Sequence, residues 1–444
     1  MRHITTKLKP QLSDHIDSWK NYVKVCVRYC CVTVAWSDCN GCCYAMQLFE
    51  FILSCNENSL CFTTQWIYDI VQEFVYQFQG FCQFRSQVSA LSSSSDIIRA
   101  LETNRDAWTL STVVSILQRL IQVSKQTQGG SKIQPSSPFI VQFGYFAMIE
   151  LARLECLTGD FTSSLTAIST IKLNDRSELF AQLPVCNFNI FYHTGVCYLM
   201  LRQFSSAVDI FTEIVLHVSR LLKPGASSGL RAGLQPQLSR MLDKALALTV
   251  ISTFLCPNDN LDEQVKEAIE TKFTDKLQKM KTGENYSKLF TEIFEFSAPK
   301  FICPFVPDYS NQLKNTRQDA ANHMLAIFMT EVEQHHNFHK LRSFLSLYAT
   351  IDISKMARFN DISELDLLSQ LLSYKNKSIK IINNVRTNIS DVHYYVDKGS
   401  LMIDTSSAKI DESKSQERFF IAGVRKHAQI VSQVNRLFSS LGLD

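Results

Sequence analysis

The chain has 444 residues, 45% of them apolar, and its 45 Lys and Arg set against 42 Asp and Glu leave a net charge of only +3. That length has room for two or three domains with a sizeable core, and so balanced a charge argues against a dedicated nucleic-acid binder, which carries a strongly basic domain or stripe. No segment reads as membrane-spanning, because the longest apolar run, residues 245–256, falls short of the roughly 20 residues a span requires.

The opening residues, MRHITTKLKPQLSDHID, lack the apolar core of a signal peptide, so the expected location is cytoplasmic. Residues 1–138 form an N-terminal helical region in this reading. It holds most of the 14 cysteines, with Cys26, Cys30, Cys31, Cys39, Cys42, Cys43, Cys55, Cys61 and Cys82 all before residue 83. In a large chain without a secretion signal, free thiols acting as small buried hydrophobes are the expectation. A zinc site from Cys30 or Cys31 with Cys39 and Cys42 has tolerable spacing, but it lacks a second clean CxxC pair. A serine run at residues 91–95 and the segment GGSKIQPSSP at 129–138 read as loops.

Residues 139–203 read as helical repeats of the tetratricopeptide-like kind. Phe143, Phe146, Ala147, Leu151 and Leu154 mark one amphipathic helix, Gly159-Asp160 turns the chain, and Phe161, Leu165, Ile168 and Ile171 mark a second. The pattern recurs with Phe188, Phe191, Tyr192, Gly195, Val196 and Leu199. Arg202-Gln203 then turns the chain into Phe204, Ala207, Val208 and Phe211. The 43 residues between Phe161 and Phe204 exceed the about 34 of a strict tetratricopeptide. A helix pair cannot bury its apolar face alone, so stacked pairs are expected, with Gly195 and Ala207 permitting close approach. An ordinary bundle with accidental similarity is the alternative. Residues 224–236 (PGASSGLRAGLQP) read as another solvated loop.

From about residue 340 the pattern changes. Leu341, Phe344, Leu345 and Tyr348 predict a short helix, residues 353–358 another, and Ser363 with Asp366 a capping-box-like start to a third carrying Leu365, Leu368, Leu371 and Leu372. Val392, Tyr394 and Val396, then Leu401 and Ile403 after Lys398-Gly399, predict a hairpin whose glycine takes positive φ. Three helices followed by a two-stranded wing describe a winged helix. Residues 411–444 close on a helix in which Phe420, Val424, His427, Val431, Val434, Phe438 and Leu441 recur at steps of four and three. That heptad seam predicts packing against other helices. We take Phe420, Val424, Val431, Val434, Phe438 and Leu441 as the candidate partner-binding residues. Folding back onto the chain's own winged helix is the competing use of the seam.

No catalytic or cofactor motif is present: the chain has no GxxxxGK[ST], GxGxxG after a strand, GxSxG or HExxH. His335, His336 and His339 offer i, i+4 spacing on one helical face but no acidic residue between and no third ligand. They read as a solvated histidine-rich face, and no metal or catalytic residue is assigned. The third helix of the wing unit begins Glu364-Leu365-Asp366, which repels phosphate, whereas Lys375, Lys377 and Lys380 at its end would allow a weak RNA contact. Protein docking is the preferred use of that surface.

Helical repeats running into a winged helix and a terminal helix resemble the layout of the PCI-domain scaffold family, found in the proteasome lid, the COP9 signalosome and translation initiation factor 3. Within that family, QWIYDIVQEFVYQFQGFCQFR (residues 65–85) is similar to the pattern QWxxDIxxEFxYQFQxFxQ(Y/F)R of the L-subunit family of the initiation factor. YAMQLFEFIL from Tyr44, TGDF from Thr158, SAPKFICPFVPDY from Ser297, LRSFLSLYATIDISKMARF from Leu341 and DVHYYVDKGSLMI from Asp391 follow in matching order. Residues 1–43 depart from the pattern, which implies a shortened or differently started N-terminus. The resemblance implies a mostly α protein with a PCI domain over residues 204–410. It implies no enzymatic activity and a scaffold role in preinitiation complex assembly on the small ribosomal subunit and in messenger RNA recruitment. Subunits K and E of the factor are the implied neighbours. A lid or signalosome scaffold is the alternative.

Overall fold

The computed structural model describes residues 49, 52–53, 63–90, 98–99, 101–102, 108–127, 139–222, 235–255, 261–282, 286–305, 319–377, 379–382, 385–388, 392–397, 399–404, 424, 427, 428, 430 and 431. Cys26 to Cys43, Cys55 and Cys61, the serine run, the loop at 129–138, and Phe420, Val434, Phe438 and Leu441 lie outside these residues. The fold is mostly α, and it divides into two compact units, one ending at Thr330 and the other beginning at Glu331.

In the first unit, α1 (Thr64–Ala90), α2 (Leu110–Thr127), α3 (Phe139–Thr158), α4 (Phe161–Ala167), α5 (Leu179–Gln182), α6 (Pro184–Met200), α7 (Phe204–Leu222), α8 (Gln235–Leu255), α9 (Glu263–Thr282) and α10 (Tyr286–Ser297) follow in order. Helices α3 and α6 are buried nearly all round, as a helix apolar on every face must be. Helix α7 instead buries a single stripe, Phe204, Ala207, Val208, Phe211, Ile214, Val215 and Val218, against α6 and α8. Each fully buried Phe, Leu or Val side chain contributes about 1.5–3 kcal/mol. Gly195 has a packing reason: a Cβ there would overlap the Phe211 ring. The apolar run at 245–256 is core, since Ala245 to Ser252 are all buried within α8, and no described helix is long and apolar enough to cross a membrane.

The two matching turns share one geometry. Gly159 has φ +92° and Arg202 φ +65°. At each, the left-handed residue donates to the carbonyl three back (Gly159 to Cys156 at 3.2 Å, Arg202 to Leu199 at 3.1 Å). The next residue donates five back (Asp160 to Glu155 and Gln203 to Tyr198, both 2.9 Å). This pairing satisfies the last carbonyls of α3 and α6 before the chain reverses.

The second helices of the two pairs differ, however. Asp160 caps α4 by accepting from Ser163 N, yet α4 stops at Ala167. Ile168 and Ile171 are buried from turns beyond its end. The run of β-branched residues Thr166, Ile168, Thr170 and Ile171 opposes helix continuation. At residues 235–236 the expected loop has already become helix, with Pro236 in the first turn of α8, where its missing N–H costs nothing.

The second unit begins inside α11 (Asp319–Leu347), so the short helix expected near Leu341 is the end of a 29-residue one. Then come β1 (Thr350–Asp352), α12 (Ile353–Phe359), α13 (Glu364–Lys377), β2 (Ile379–Ile382), β3 (Val385–Asn388), β4 (His393–Asp397) and β5 (Ser400–Asp404). Ser363 accepts from Asp366 N at 3.1 Å and donates to its carboxylate at 2.7 Å, the expected cap of α13. Strands β4 and β5 form an antiparallel hairpin pairing Tyr394 with Ile403 and Asp397 with Ser400, and Gly399 in its turn has φ +83°. The sequence reading missed β1, which pairs with β5 to complete a three-stranded sheet, and the separate β2–β3 hairpin.

Phe338, Leu341, Leu345, Ile351, Ile353, Met356, Leu367, Leu371, Tyr374, Tyr394, Leu401 and Ile403 make the core of this unit. Two expectations fail at its edge. Val396 is exposed, and of the four leucines marking α13 only Leu371 is core, Leu367 and Tyr374 taking the inner face with it.

Candidate interaction site

Two stretches singled out by their sequence, residues 65–85 and 297–309, meet in the first unit. Arg85 lies on α1 with its guanidinium buried, donating to the carbonyls of Pro304 at 2.7 Å and Phe305 at 2.9 Å. Gln79, on the same helix, donates to the Lys300 carbonyl at 3.3 Å. The chain after α10 is thereby strapped across the bundle. Tyr192 Oη donates to Ser297 O at 2.5 Å, and Ile302 N to Leu157 O at 3.0 Å. An irregular segment has no ladder of its own, so buried side chains satisfy its carbonyls.

Behind the strap runs a polar network through helices otherwise filled with hydrocarbon. Glu150, on α3, is fully buried and accepts from Arg153 Nη1 at 3.0 Å. Arg153 Nη2 donates to Gln79 Oε1 at 3.1 Å, tying α3 to α1. The Tyr68 hydroxyl accepts from Asn189 Nδ2 at 2.6 Å, adding α6. Burial raises the Glu150 carboxyl above its ordinary range, against the pull of Arg153 and Tyr68. Beside it, His193 donates Nδ1–H to Asn189 O at 2.8 Å, the tautomer a carbonyl partner requires. Burial, helped by the Arg153 charge, holds its pKa down to about 3. The ring is neutral at physiological pH. Sequence reading missed this network; its signal was a Glu and an Arg three apart inside the otherwise apolar helix α3.

Four of the described thiols behave as hydrophobes. Cys82, Cys156, Cys186 and Cys197 are buried and unbridged, and burial pushes the Cys82 thiol up to about 12. His335, expected on a solvated face, is buried within α11 with its ring edge-on to Phe338. Among the described residues no three His, Cys, Asp or Glu side chains gather as metal ligands would.

The second unit shows what its outer faces offer. Lys375 Nζ donates to Tyr394 O at 3.1 Å and sits over that ring. Lys377 Nζ pairs with Glu331 at 2.7 Å and lies over Phe338. Lys375 and Lys377, two of the three lysines named as an RNA contact, are thus engaged by their own fold, and the Lys380 side chain is not among those described. Leu365 and Leu372 on α13 are 79% and 61% exposed, with Leu368 between them, and Leu347 and Phe359 are also exposed. Of the candidate partner-binding residues, Val424 and Val431 are described: both are helical, and they are 69% and 43% exposed.

Residues 42–427 match the model of the family described as RNA polymerase I-associated factor PAF67. Three curated relatives, each named eukaryotic translation initiation factor 3 subunit L, align over nearly the whole chain. The one from Nematostella vectensis is 29% identical, covering 98% of this chain and 80% of the relative. The one from Danio rerio is 28% identical, covering 97% and 72%. The one from Homo sapiens is 28% identical, covering 99% and 75%.

Proposed function

We propose a function from one premise: this chain belongs to the family described as RNA polymerase I-associated factor PAF67. The reading is that it serves as a subunit of translation initiation factor 3. What carries it is a single alignment feature, the collinear match of 97–99% of the chain to curated relatives that share that subunit's name. In this role the chain is a non-catalytic cytoplasmic scaffold. Residues 139–203 act as tetratricopeptide-like repeats, residues 204–410 as a PCI domain whose winged helix is α12, α13 and the β1–β5–β4 sheet, and residues 411–444 as a docking helix. Its neighbours are other subunits of the factor, K and E foremost, and the small ribosomal subunit.

Two observations support a part held by partners rather than one doing chemistry. The buried network of α1, α3 and α6 uses Arg153 to tie α3 to α1, and the exposed leucines of α13 lie where neighbouring chains can cover them. We infer that the seam of Phe420, Val424, Val431, Val434, Phe438 and Leu441 is a second such surface. The exposure of Val424 and Val431 in the isolated chain is the observation in its favour.

Gradient fractionation of a tagged copy is the test. The expected result is sedimentation with small ribosomal subunits and initiation factor 3 subunits. Recovery only with proteasome lid, signalosome or RNA polymerase I components would overturn the assignment. Changing Val424 and Val431 to Asp should leave the melting temperature unchanged and remove the chain from those fractions. Charging a seam that serves the chain's own core would instead cost several kcal/mol and unfold it.

A further inference from the structure

A cleft of about 580 Å³ opens beside the buried network of the first unit, walled by α1, α3, α6, the start of α8 and the strap at Pro299 and Lys300. Four cationic side chains line it, Arg153, Arg240, Lys244 and Lys300, and among the described residues no carboxylate does. Arg153 has Glu150 as its counter-charge. No carboxylate among the described residues pairs with Arg240, Lys244 or Lys300. Lys244 and Lys300 are close enough to act on one another. Lys244 is half-buried, and burial together with the charge of Lys300 draws its ammonium below the ordinary lysine value.

Like charges gathered at the mouth of a low-dielectric cleft repel, and a bound anion relieves that repulsion. The remaining lining suits an oxyanion as well. Gln79, Asn189 and Gln237 carry amide donors, and the first turn of the 21-residue helix α8 brings Pro236 and Gln237 to the rim, where a helix N-terminus favours negative charge, with Arg240 one turn further on. On the apolar side, Phe188 and Tyr192 stack with ring centroids 5.3 Å apart.

We propose that this cleft binds a small phosphate-bearing ligand, with Arg240, Lys244 and Lys300 holding its oxygens. Three cations with no described counter-charge overshoot a single carboxylate, but they match a phosphate group carrying about two negative charges, whose oxygens also fit the arginine fork. The volume lies within the roughly 300–1,000 Å³ typical of small-molecule sites. A bound RNA strand would instead need a groove that follows the backbone, with aromatic side chains for successive bases.

The experiment is calorimetric titration of the full chain with inorganic pyrophosphate. The expected result is saturable binding at one site. Arg240→Gln and Lys300→Gln, both on exposed side chains, should each weaken it by about tenfold, and the pair by about a hundredfold, with the melting temperature unchanged. His193 gives a second readout that a general salt effect would not move: its ring resonances should shift, and its titration move upward, once a phosphate lies in the cleft. Absence of binding, equal affinity of the double variant, or equal heat from sulfate at the same ionic strength would overturn the proposal. So would a phosphoserine peptide or a single-stranded RNA binding where pyrophosphate does not.

Discussion

Helix α3 of the first unit carries Glu150 and Arg153 on its inside, whereas helix α13 of the second carries Leu365, Leu368 and Leu372 on its outside. Each breaks the usual rule of polar out and apolar in, and each break has a different meaning. A buried ion pair is costly in desolvation and leans on the hydrogen bonds around it. Here Arg153 reaches Gln79 and Asn189 reaches Tyr68, which joins α1, α3 and α6 in one arrangement, while Glu150 Oε1 is left without a hydrogen-bond partner. The exposed leucines contribute nothing to the isolated unit, since Leu367, Leu371 and Tyr374 already supply its core contact. The first unit uses its exception to fix its own helices. The second leaves its exception for something else to cover.

That contrast can be broken most sharply at Arg153. Arg153→Leu leaves the Glu150 carboxylate buried without its counter-charge and should cost about 3–5 kcal/mol in chemical denaturation. Glu150→Leu combined with Arg153→Leu should recover most of that loss. A double variant as unstable as the single one would mean that packing, and not charge, sets the effect.

Glu155 sharpens the comparison through pH. One of its carboxylate oxygens is buried with no hydrogen-bond partner. Burial, with a smaller push from Asp160, raises its pKa from 4.5 to about 7. The folded state therefore holds this proton more tightly than the unfolded one, so stability falls as pH rises from 4.5 to 7 and stays low above. Glu155→Gln should raise the melting temperature at pH 8, and the gain should vanish by pH 4.5. An equal gain at both pH values would show that ionisation is not the cause.

The smallest effect is expected on α13. Leu365→Ser with Leu372→Ser should change stability by no more than about 0.5 kcal/mol, while Leu371→Ala one position away should cost about 2–5 kcal/mol. Comparable losses from both would mean the outer leucines serve the unit's own fold.

Some of this was legible beforehand because it depends on neighbours in sequence. The helix pairs around Gly159 and Arg202, the Ser363 cap, the glycine turn at 399 and the mostly α character all follow from local rules of periodicity, capping and permitted φ. The β2–β3 hairpin also had a local sign in Asn383-Asn384 between β-prone runs, and it was passed over. Strand β1 had none, because three residues become a strand only when β5 arrives beside them.

What the sequence determined by itself was the order of helices, the turns between them and the family to which their motifs belong, since each is written in residues a few positions apart. Only the tertiary structure decided which polar groups went inside. Gln79 and Arg85 reach carbonyls about 220 positions away. Lys375 and Lys377 lie over the rings of Tyr394 and Phe338. Arg240 and Lys244 of α8 come to share a cleft with Arg153 of α3 and Lys300 of the strap, with no described carboxylate lining it. The physical reason is common to all of these: the cost or gain of a charge depends on what surrounds it, and its surroundings are contributed by distant segments of the chain.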